Sequence, residues 1–347
     1  MAGPSPEVMG GISAVVQYYL RSDLPRRTEF KYLVTHVDGT KIKKILTALI
    51  AYLSFIRLIA VFRPQIVHIH LSSYFSFYRK FILFLEAKLF RRKVLIHCHG
   101  SVFQRFHDAH RIHAFFIRKL MNGADMVLVL SKSWREVIRS YSTNPNVKLL
   151  YNPVDPSIFK AKRKSIDGRA RVLFMGRIGK RKGIYDLLKV IPRVVSGFKD
   201  VKFILAGDGD LEQVREIVRD SEMENHVEIP GWVKGKDKIA VFQEAEMFIL
   251  PSYNEGIPVS VLEAMAAALP VISTTIGGIP DAVDDGVTGF LIEPGDLTAM
   301  EEKILKLLGN PALRREMGAL GLKKIQETFS VGRVVSRLLS LYEILER

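Results

Sequence analysis

Cysteine is almost absent from this chain of 347 residues, and acidic residues are scarce in its first half. The single cysteine, Cys98, excludes an internal disulfide and fits a reducing compartment. Moderate Gly and Pro contents and 48% hydrophobic residues exclude long disordered stretches. The start "MAGPSPEVMGG" has neither a basic n-region nor an apolar h-region, so we expect no signal peptide. The sequence therefore predicts a globular cytoplasmic protein whose length suggests two domains.

The net charge of +15 is confined to one half of the chain. Residues 1–160 contain 24 Lys and Arg against 9 Asp and Glu, whereas residues 161–347 contain 27 of each kind. Such asymmetry indicates a nucleic acid, an anionic membrane surface or a phosphate-bearing acceptor. No nucleic-acid module, zinc pattern or RNA-binding strand signature is recognisable. We therefore expect no nucleic-acid partner and favour the membrane surface or the acceptor.

Short apolar runs alternate with helical patterns along the chain, which predicts parallel sheets covered on both faces. The predicted strands are "KYLVTHV", "QIVHIH", "KVLIHCH", "DMVLVLS" and "VKLLYN", then "RVLFMG", "VKFILAG", "HVEIPG", "MFILPS", "PVIST" and "GFLIEP". A Pro-rich and charged stretch at 152–170 interrupts the alternation. We expect two doubly wound α/β domains, 1–160 and 161–330, with the ligand site between them and a last helix, 331–347, packing back toward the first domain.

Two carboxylates stand in the apolar segment "LPSYNEGIPVSVLEAMAAALPVIS". Pro258 suits the first position of a helix, whose free amides near Val259 and Ser260 would carry the positive end of its dipole and could bind a phosphate. Glu255 precedes this helix and Glu263 lies little more than one turn inside it, so both would flank the anion site. The alternative is that Glu255 caps the helix and Glu263 faces solvent.

A basic loop, "GRIGKRKG", follows the strand "RVLFM". Arg177 and Lys182 would lie on the same edge of the sheet as the helix at Pro258 and could neutralise a diphosphate leaving group. The alternative is a solvated charge run, and Lys180 and Arg181 are expected to be exposed.

With these motifs the sequence resembles the retaining, nucleotide-sugar-dependent glycosyltransferases of the GT-B fold, in the large E-x7-E group (glycosyltransferase family 4, glycosyl transferases group 1). The resemblance rests on "EGIPVSVLE", the following run "AMAAALPVISTTIGGIPDAVDDGVTGFLIEPGD" and the G-R-x4-K-G segment, and "VMGGISAVVQYYL" resembles the glycine loop. It implies an α/β fold of two facing Rossmann-like domains. In the family a whole apolar strand precedes the glycine loop, but here only "MAGPSPEVM" does. Either the chain starts late or the first sheet lacks its middle strand.

The resemblance also implies roles for individual residues. The catalytic set would be Glu255 on the sugar hydroxyls, Arg177 and Lys182 on the phosphates, and His99 on the donor sugar. Glu263 would bind the ribose. The remaining donor-binding positions would be Gly10, Gly11, Ile257, Val259 and Ser260.

The activity implied is transfer of a hexose from a UDP- or GDP-sugar to a glycan or lipid-linked acceptor in polysaccharide or glycolipid synthesis. We expect no cofactor and no metal, because no D-x-D loop is evident and the cations serve that role. The alternatives are a nucleotide-sugar 2-epimerase, a pyridoxal-dependent phosphorylase and a non-catalytic nucleotide-sugar-binding protein.

Two pairs of histidines, His68 with His70 and His97 with His99, have strand spacing, so each pair shares one face. Four imidazoles could form a metal site, but no accompanying ligand pattern is present, and we expect buried histidines bonded to backbone.

Two helical segments are candidates for membrane contact. Within the segment 41–64, the apolar run from Ile45 to Phe62 has only about the minimum spanning length and contains Arg57, so we expect a helix that packs against the first sheet. The segment 78–93 is basic at both ends and is a candidate interfacial helix. With Arg79, Lys80, Arg91, Arg92 and Lys93 it would attach the protein to the inner face of an anionic membrane.

Overall fold

The computed structural model describes residues 1–100, 102–159 and 168–347. It contains two compact units, of which the first combines Met1–Pro153 with Val331–Arg347 and the second is Val154–Ser330. The domain boundary predicted at residue 160 lies outside the described residues. Both units are α/β, as the sequence predicted.

The first unit is built on a six-stranded parallel sheet with the order β2-β1-β3-β4-β5-β6. Its strands are β1 Ala2–Pro4, β2 Leu33–His36, β3 Ile66–Leu71, β4 Lys93–Cys98, β5 Met126–Val129 and β6 Val147–Leu149. Its helices are α1 Gly11–Arg21, α2 Leu24–Arg27, α3 Lys41–Val61, α4 Phe75–Leu89, α5 Phe103–Asp108, α6 Arg111–Gly123, α7 Lys132–Tyr141 and, from the end of the chain, α15 Val331–Glu346.

The second unit contains another six-stranded parallel sheet, with the order β12-β11-β10-β7-β8-β9. Its strands are β7 Ala170–Met175, β8 Val201–Ala206, β9 Val227–Gly231, β10 Met247–Leu250, β11 Val271–Thr274 and β12 Gly289–Ile292. Its helices are α8 Ile184–Gly197, α9 Leu211–Asp220, α10 Gly235–Glu244, α11 Val259–Ala266, α12 Ile279–Ala282, α13 Leu297–Leu308 and α14 Pro311–Lys324.

All eleven strands predicted from the apolar runs are present, and β1 is the strand that was missed. It is buried, lies between β2 and β3, and pairs with β2 over its three residues and with β3 at Ala2. The alternative that the first sheet lacks its middle strand is therefore wrong. Three residues are too few to show an alternating or continuous apolar pattern.

Helix α3 packs against the first sheet, as expected, but through one face only. Its buried residues are Ala51, Phe55 and Ile59, and its neighbours are the edge strand β2 and helix α4. By length and composition this helix could cross a membrane, and 17% of its most apolar stretch of 18 residues is buried. Most of its apolar surface is therefore exposed to solvent.

Helix α4 corrects the proposed set of membrane-facing cations. Lys80 is 1% exposed, and its ammonium donates to the backbone oxygen of His70 at 2.7 Å. Burial lowers the pKa of Lys80 to about 7. Arg79 is half-buried, so Arg91 and Lys93 are the exposed members of the set and Arg92 is half-buried.

Candidate active site

The second unit brings the predicted phosphate and sugar residues to one edge of its sheet. Strands β10 and β7 are neighbours, although β7 is followed along the chain by β8 on its other side. Ligands of open α/β sheets bind outside the carboxyl ends of the strands at such a switch in strand order. Lys182 lies in the loop after β7 and Glu255 in the loop after β10, so both residues flank the switch point.

Two glycines allow the loops at this edge to approach closely. Gly183 has a φ of 72°, and a Cβ there would stand 1.9 Å from the backbone oxygen of Pro251. Gly277 has a φ of 63°, and its Cβ would stand 2.0 Å from the backbone oxygen of Glu255. Any other residue would both strain the backbone and separate the loops. The loop after β10 is therefore held between the loops that follow β7 and β11.

Glu255 is buried within a set of polar partners. Its carboxylate accepts a hydrogen bond from the hydroxyl of Ser252 at 2.7 Å and forms an ion pair with Lys182, while the guanidinium of Arg181 lies 3.6 Å away. Glu255 is 7% exposed, and the N-cap residue of the following helix α11 is Pro258. Glu255 is therefore not the N-cap residue of this helix. Arg181 is exposed, as expected, yet contributes to the site.

Glu263 is also buried, at 3% exposure, which excludes the alternative of a solvated helix position. Its carboxylate accepts a hydrogen bond from the ammonium of Lys238 on α10 at 2.6 Å. Two buried carboxylates with lysine partners thus lie on either side of the start of α11. The sequence analysis missed Lys238 and Ser252, because no local pattern relates Lys238 to a glutamate 25 residues away.

The first turn of α11 supplies donors between the two carboxylates. The helix begins at Val259, one residue after the predicted start, and its first amides have no carbonyl one turn earlier to bind. Ile257 and Val259 are buried and Ser260 is half-buried. This arrangement can bind an oxyanion through backbone N–H groups and the helix dipole.

Arg177 differs from Lys182 in its surroundings. It is exposed in the loop after β7, and its guanidinium has no hydrogen bond or ion pair with the part of the chain that the structure describes. It is therefore available to a ligand, whereas Lys182 is engaged with Glu255.

The remaining predicted site residues belong to the first unit. Gly10 is exposed with a φ of 142°, and α1 begins at Gly11. His99 follows β4, and its backbone amide donates to the oxygen of Leu71 at 2.8 Å. The predicted residues thus form two groups, one in each unit.

The two histidine pairs form one buried cluster across β3 and β4. Ring nitrogens of His68 and His97 lie 3.2 Å apart, and those of His70 and His99 lie 2.8 Å apart. His68 also bonds to the hydroxyl of Tyr342 at 2.6 Å. The prediction that these rings bond to backbone is wrong, because ring nitrogens of all four histidines bond to other side chains.

Burial lowers the pKa of all four rings, and that of His97 falls to about 3. The rings are therefore neutral near pH 7, the form that binds metals. Nitrogens of His68, His70 and His97 lie within 4.8 Å of one another, and the Nε2 atoms of His70 and His97 are buried without a partner among the described residues. The cluster has the donor set of a metal site, an interpretation that the sequence analysis did not favour.

The comparisons with known proteins agree with this geometry. Two family models match the chain, "Glycosyltransferase Family 4" over residues 15–158 and "Glycosyl transferases group 1" over residues 169–310. Curated relatives include a 2-deoxystreptamine N-acetyl-D-glucosaminyltransferase of Niallia circulans, 30% identical over 50% of this chain and 45% of its own length. The capsular polysaccharide biosynthesis glycosyltransferase CapM of Staphylococcus aureus is 33% identical over 49% of this chain and 44% of its own length. The chain thus aligns with about half the length of these curated relatives.

Solved structures extend the likeness in fold to nearly the whole chain. A sucrose-phosphate synthase from Thermosynechococcus elongatus superposes with a TM-score of 0.80 at 18% identity, over 99% of this chain and 98% of its own. Anabaena HepE in complex with UDP-glucose also gives a TM-score of 0.80, at 16% identity and the same coverage. The fold is therefore GT-B, with two Rossmann-like domains. Since the two family models together match most of the chain, it belongs to the glycosyltransferases of family 4 and group 1.

Proposed function

We propose that this glycosyltransferase is a retaining hexosyltransferase that uses a UDP- or GDP-sugar. The observation that carries the proposal is the ion pair between half-buried Lys182 and buried Glu255 at the switch point of the second sheet, beside the first turn of α11. A cation, free helix amides and a buried carboxylate together match a diphosphate joined to a sugar. Relatives named for capsular polysaccharide synthesis and for mannosylation of phosphatidylinositol support a glycan or lipid-linked acceptor.

The site residues of the second unit each bind a different part of the donor. Arg177 and Lys182 bind the phosphates, assisted by amides at Ile257, Val259 and Ser260. Glu255 accepts hydrogen bonds from the sugar hydroxyls. Glu263 accepts them from the ribose in competition with Lys238.

The first unit contributes His99 to the donor sugar, and the loop of Gly10 and Gly11 to the donor. The diphosphate oxygen itself takes the acceptor proton as it leaves, so that the new bond forms on the same face of the sugar.

The reaction requires no divalent metal, because the developing charge on the diphosphate is stabilised by Arg177, Lys182 and the helix dipole. Activity should therefore survive assay in EDTA. Complete loss that added metal reverses would contradict this proposal and direct attention to the cluster of His68, His70 and His97.

Thermal shifts with UDP-, GDP- and ADP-sugars would identify the donor, because a ligand that binds the native state raises the melting temperature. NMR of the product should then show the anomeric configuration of the donor retained. Consumption of donor to an epimer without acceptor would indicate the epimerase instead, and binding without turnover would indicate a sensor. Absorbance of bound pyridoxal would indicate a phosphorylase.

We also propose that the protein acts at the inner face of an anionic membrane, where a lipid-linked acceptor would reside. The excess of Lys and Arg in residues 1–160 supports this location, since juxtamembrane cations contribute about 1 kcal/mol each. Co-sedimentation with anionic liposomes should weaken at high salt and on replacement of Arg91, Arg92 and Lys93 by Glu. Equal sedimentation with neutral and anionic vesicles would contradict the location and leave the transferase activity untouched.

A further inference from the structure

The outer face of helix α3 is the largest run of exposed apolar side chains on one element of the described structure. Eight of its side chains are between 41% and 76% exposed, namely Ile42, Ile45, Leu46, Leu49, Ile50, Leu53, Ile56 and Val61. Isolated exposed hydrophobic residues are ordinary, but contiguous apolar patches mark interaction sites.

Helix α3 has two apolar faces, and the described residues leave one of them exposed. Ala51, Phe55 and Ile59 recur every four residues and are buried toward the first unit. The exposed positions 42, 46, 49, 53 and 56 recur at alternating intervals of four and three, which places them on the opposite face. The helix therefore packs against the first unit along one face and exposes its other face to solvent.

The charged residues near this face indicate which kind of partner it binds. Helix α3 contains four Lys and Arg and no Asp or Glu; Lys41, Lys43 and Arg57 on it are exposed, as is Arg63 after its end. A second copy would bring like charges together, whereas an anionic lipid surface pairs the cations and receives the apolar side chains.

We propose that α3 lies flat in the interfacial region of an anionic membrane, with its face from Ile42 to Ile56 inserted among the acyl chains. This inference names the surface for the membrane location proposed above and rests on that location. It assigns the hydrophobic part of membrane binding to the face of α3 that does not pack against the first unit.

A flat orientation fits the contacts better than a spanning one. A spanning helix would have to withdraw Ala51, Phe55 and Ile59 from β2 and α4, exposing the core that they close. It would also place Arg57 within the hydrocarbon region. In the flat orientation Arg57 and Lys43 reach the headgroups beside the inserted face.

The test compares vesicles of phosphatidylcholine with vesicles that also contain phosphatidylglycerol. A triple variant, Ile42→Gln, Leu49→Gln and Leu53→Gln, should bind anionic vesicles about 100-fold more weakly, because each partly exposed aliphatic side chain contributes roughly a factor of five on transfer from water. The matched control, Leu320→Gln with Ile344→Gln, changes exposed aliphatic residues on α14 and α15 and should bind like the wild type.

The orientation is tested by Leu49→Trp in a background in which the two native tryptophans, Trp134 and Trp232, are replaced by Phe. The fluorescence of Trp at position 49 should shift to the blue with anionic vesicles and be quenched by brominated acyl chains, whereas Ile344→Trp in the same background should show neither effect. An α3 variant that binds like the wild type, or an unquenched Trp at position 49, would overturn the inference. So would a lipid-free dimer that the triple variant converts to a monomer, which would identify a second copy as the partner.

Failure of this inference is distinguishable from failure of the proposed activity. The triple variant should keep the donor-induced thermal shift of the wild type, because its substitutions lie outside the donor residues. A wild type that binds vesicles through α3 but gives no thermal shift with any nucleotide sugar would overturn the donor proposal alone.

Discussion

At the scale of residues, Lys182 and Glu255 carry much of the proposed chemistry, and each compensates the burial of the other. A carboxylate that is 7% exposed would be costly without a charged or hydrogen-bonding partner, and here Lys182, Ser252 and Arg181 surround it. The pair holds both side chains at the ends of β7 and β10 before the donor arrives. Positioned groups of this kind need little rearrangement when charge develops on the leaving group.

Substitution separates the roles of the two basic residues. Arg177→Ala should lower turnover by about 100-fold, the loss expected from removing one preorganised stabiliser. Its melting temperature should stay near that of the wild type, because Arg177 is exposed and unbonded among the described residues. Lys182→Ala should lower turnover as much and also destabilise the fold by about 3 kcal/mol, since it leaves Glu255 buried without its main partner.

Arg215→Ala, which removes an exposed arginine paired with Glu212 on α9, is the control for both variants and should leave turnover unchanged. Wild-type rates in a folded Arg177→Ala or Lys182→Ala protein would remove those residues from the site.

The spacing of the sequence could predict Glu255, Glu263 and the start of α11, because these features lie within one local segment. It could not predict that the two carboxylates pair with lysines, since Lys182 is 73 residues from Glu255 and Lys238 is on another helix. Whether a charged side chain is buried depends on which loops the strand order brings together.

At the scale of elements, strands β3 and β4 carry four histidines that burial keeps neutral. The pKa of His97 is about 3 in the folded protein, below the value of about 6.5 in an unfolded chain. Between these values the unfolded state binds one more proton, so stability falls as the pH falls below 6.5 and is at its full value above it. His68, His70 and His99 act in the same direction.

His97→Gln should therefore flatten the dependence of unfolding free energy on pH by up to about 1.4 kcal/mol per pH unit between pH 6 and 5. Trp232→Phe leaves Trp134, in α7, as the only tryptophan, so its fluorescence in urea reports on the first unit. Burial raises the pKa of Glu86 to about 7, so this residue changes stability with pH in the opposite direction. Its contribution is the same in the wild type and in His97→Gln, so it cancels when the two slopes are compared. An unchanged slope in His97→Gln would contradict this account.

Elements with long apolar runs were predictable, whereas strand β1 and the exposed face of helix α3 show the limit of such patterns. Strand β1 is too short to have a period, and its position depends on pairing with β2. Helix α3 is apolar on both faces, and composition cannot tell whether protein or another surface covers the second face.

At the scale of the whole molecule, the chain returns to its first unit at the end. Helix α15 contacts α1 and β3, and Tyr342 on it bonds to His68. Its apolar side chains Val335, Leu338 and Leu341 are fully buried. Residues 331–347 are therefore part of the core of a unit that otherwise ends at Pro153.

A pair of core substitutions tests this division of the chain. Leu338→Ala on α15 should lower the unfolding free energy of the first unit by about 2–5 kcal/mol, because removal of a buried leucine side chain leaves a cavity in the core. Trp134 fluorescence in the Trp232→Phe background should report the loss, while Trp232 fluorescence in a Trp134→Phe background should not. Ile304→Ala on α13, which is equally buried but belongs to the second unit, should give the opposite pattern. If Leu338→Ala shifted only the Trp232 transition, α15 would belong to the second unit, next to which it lies in sequence.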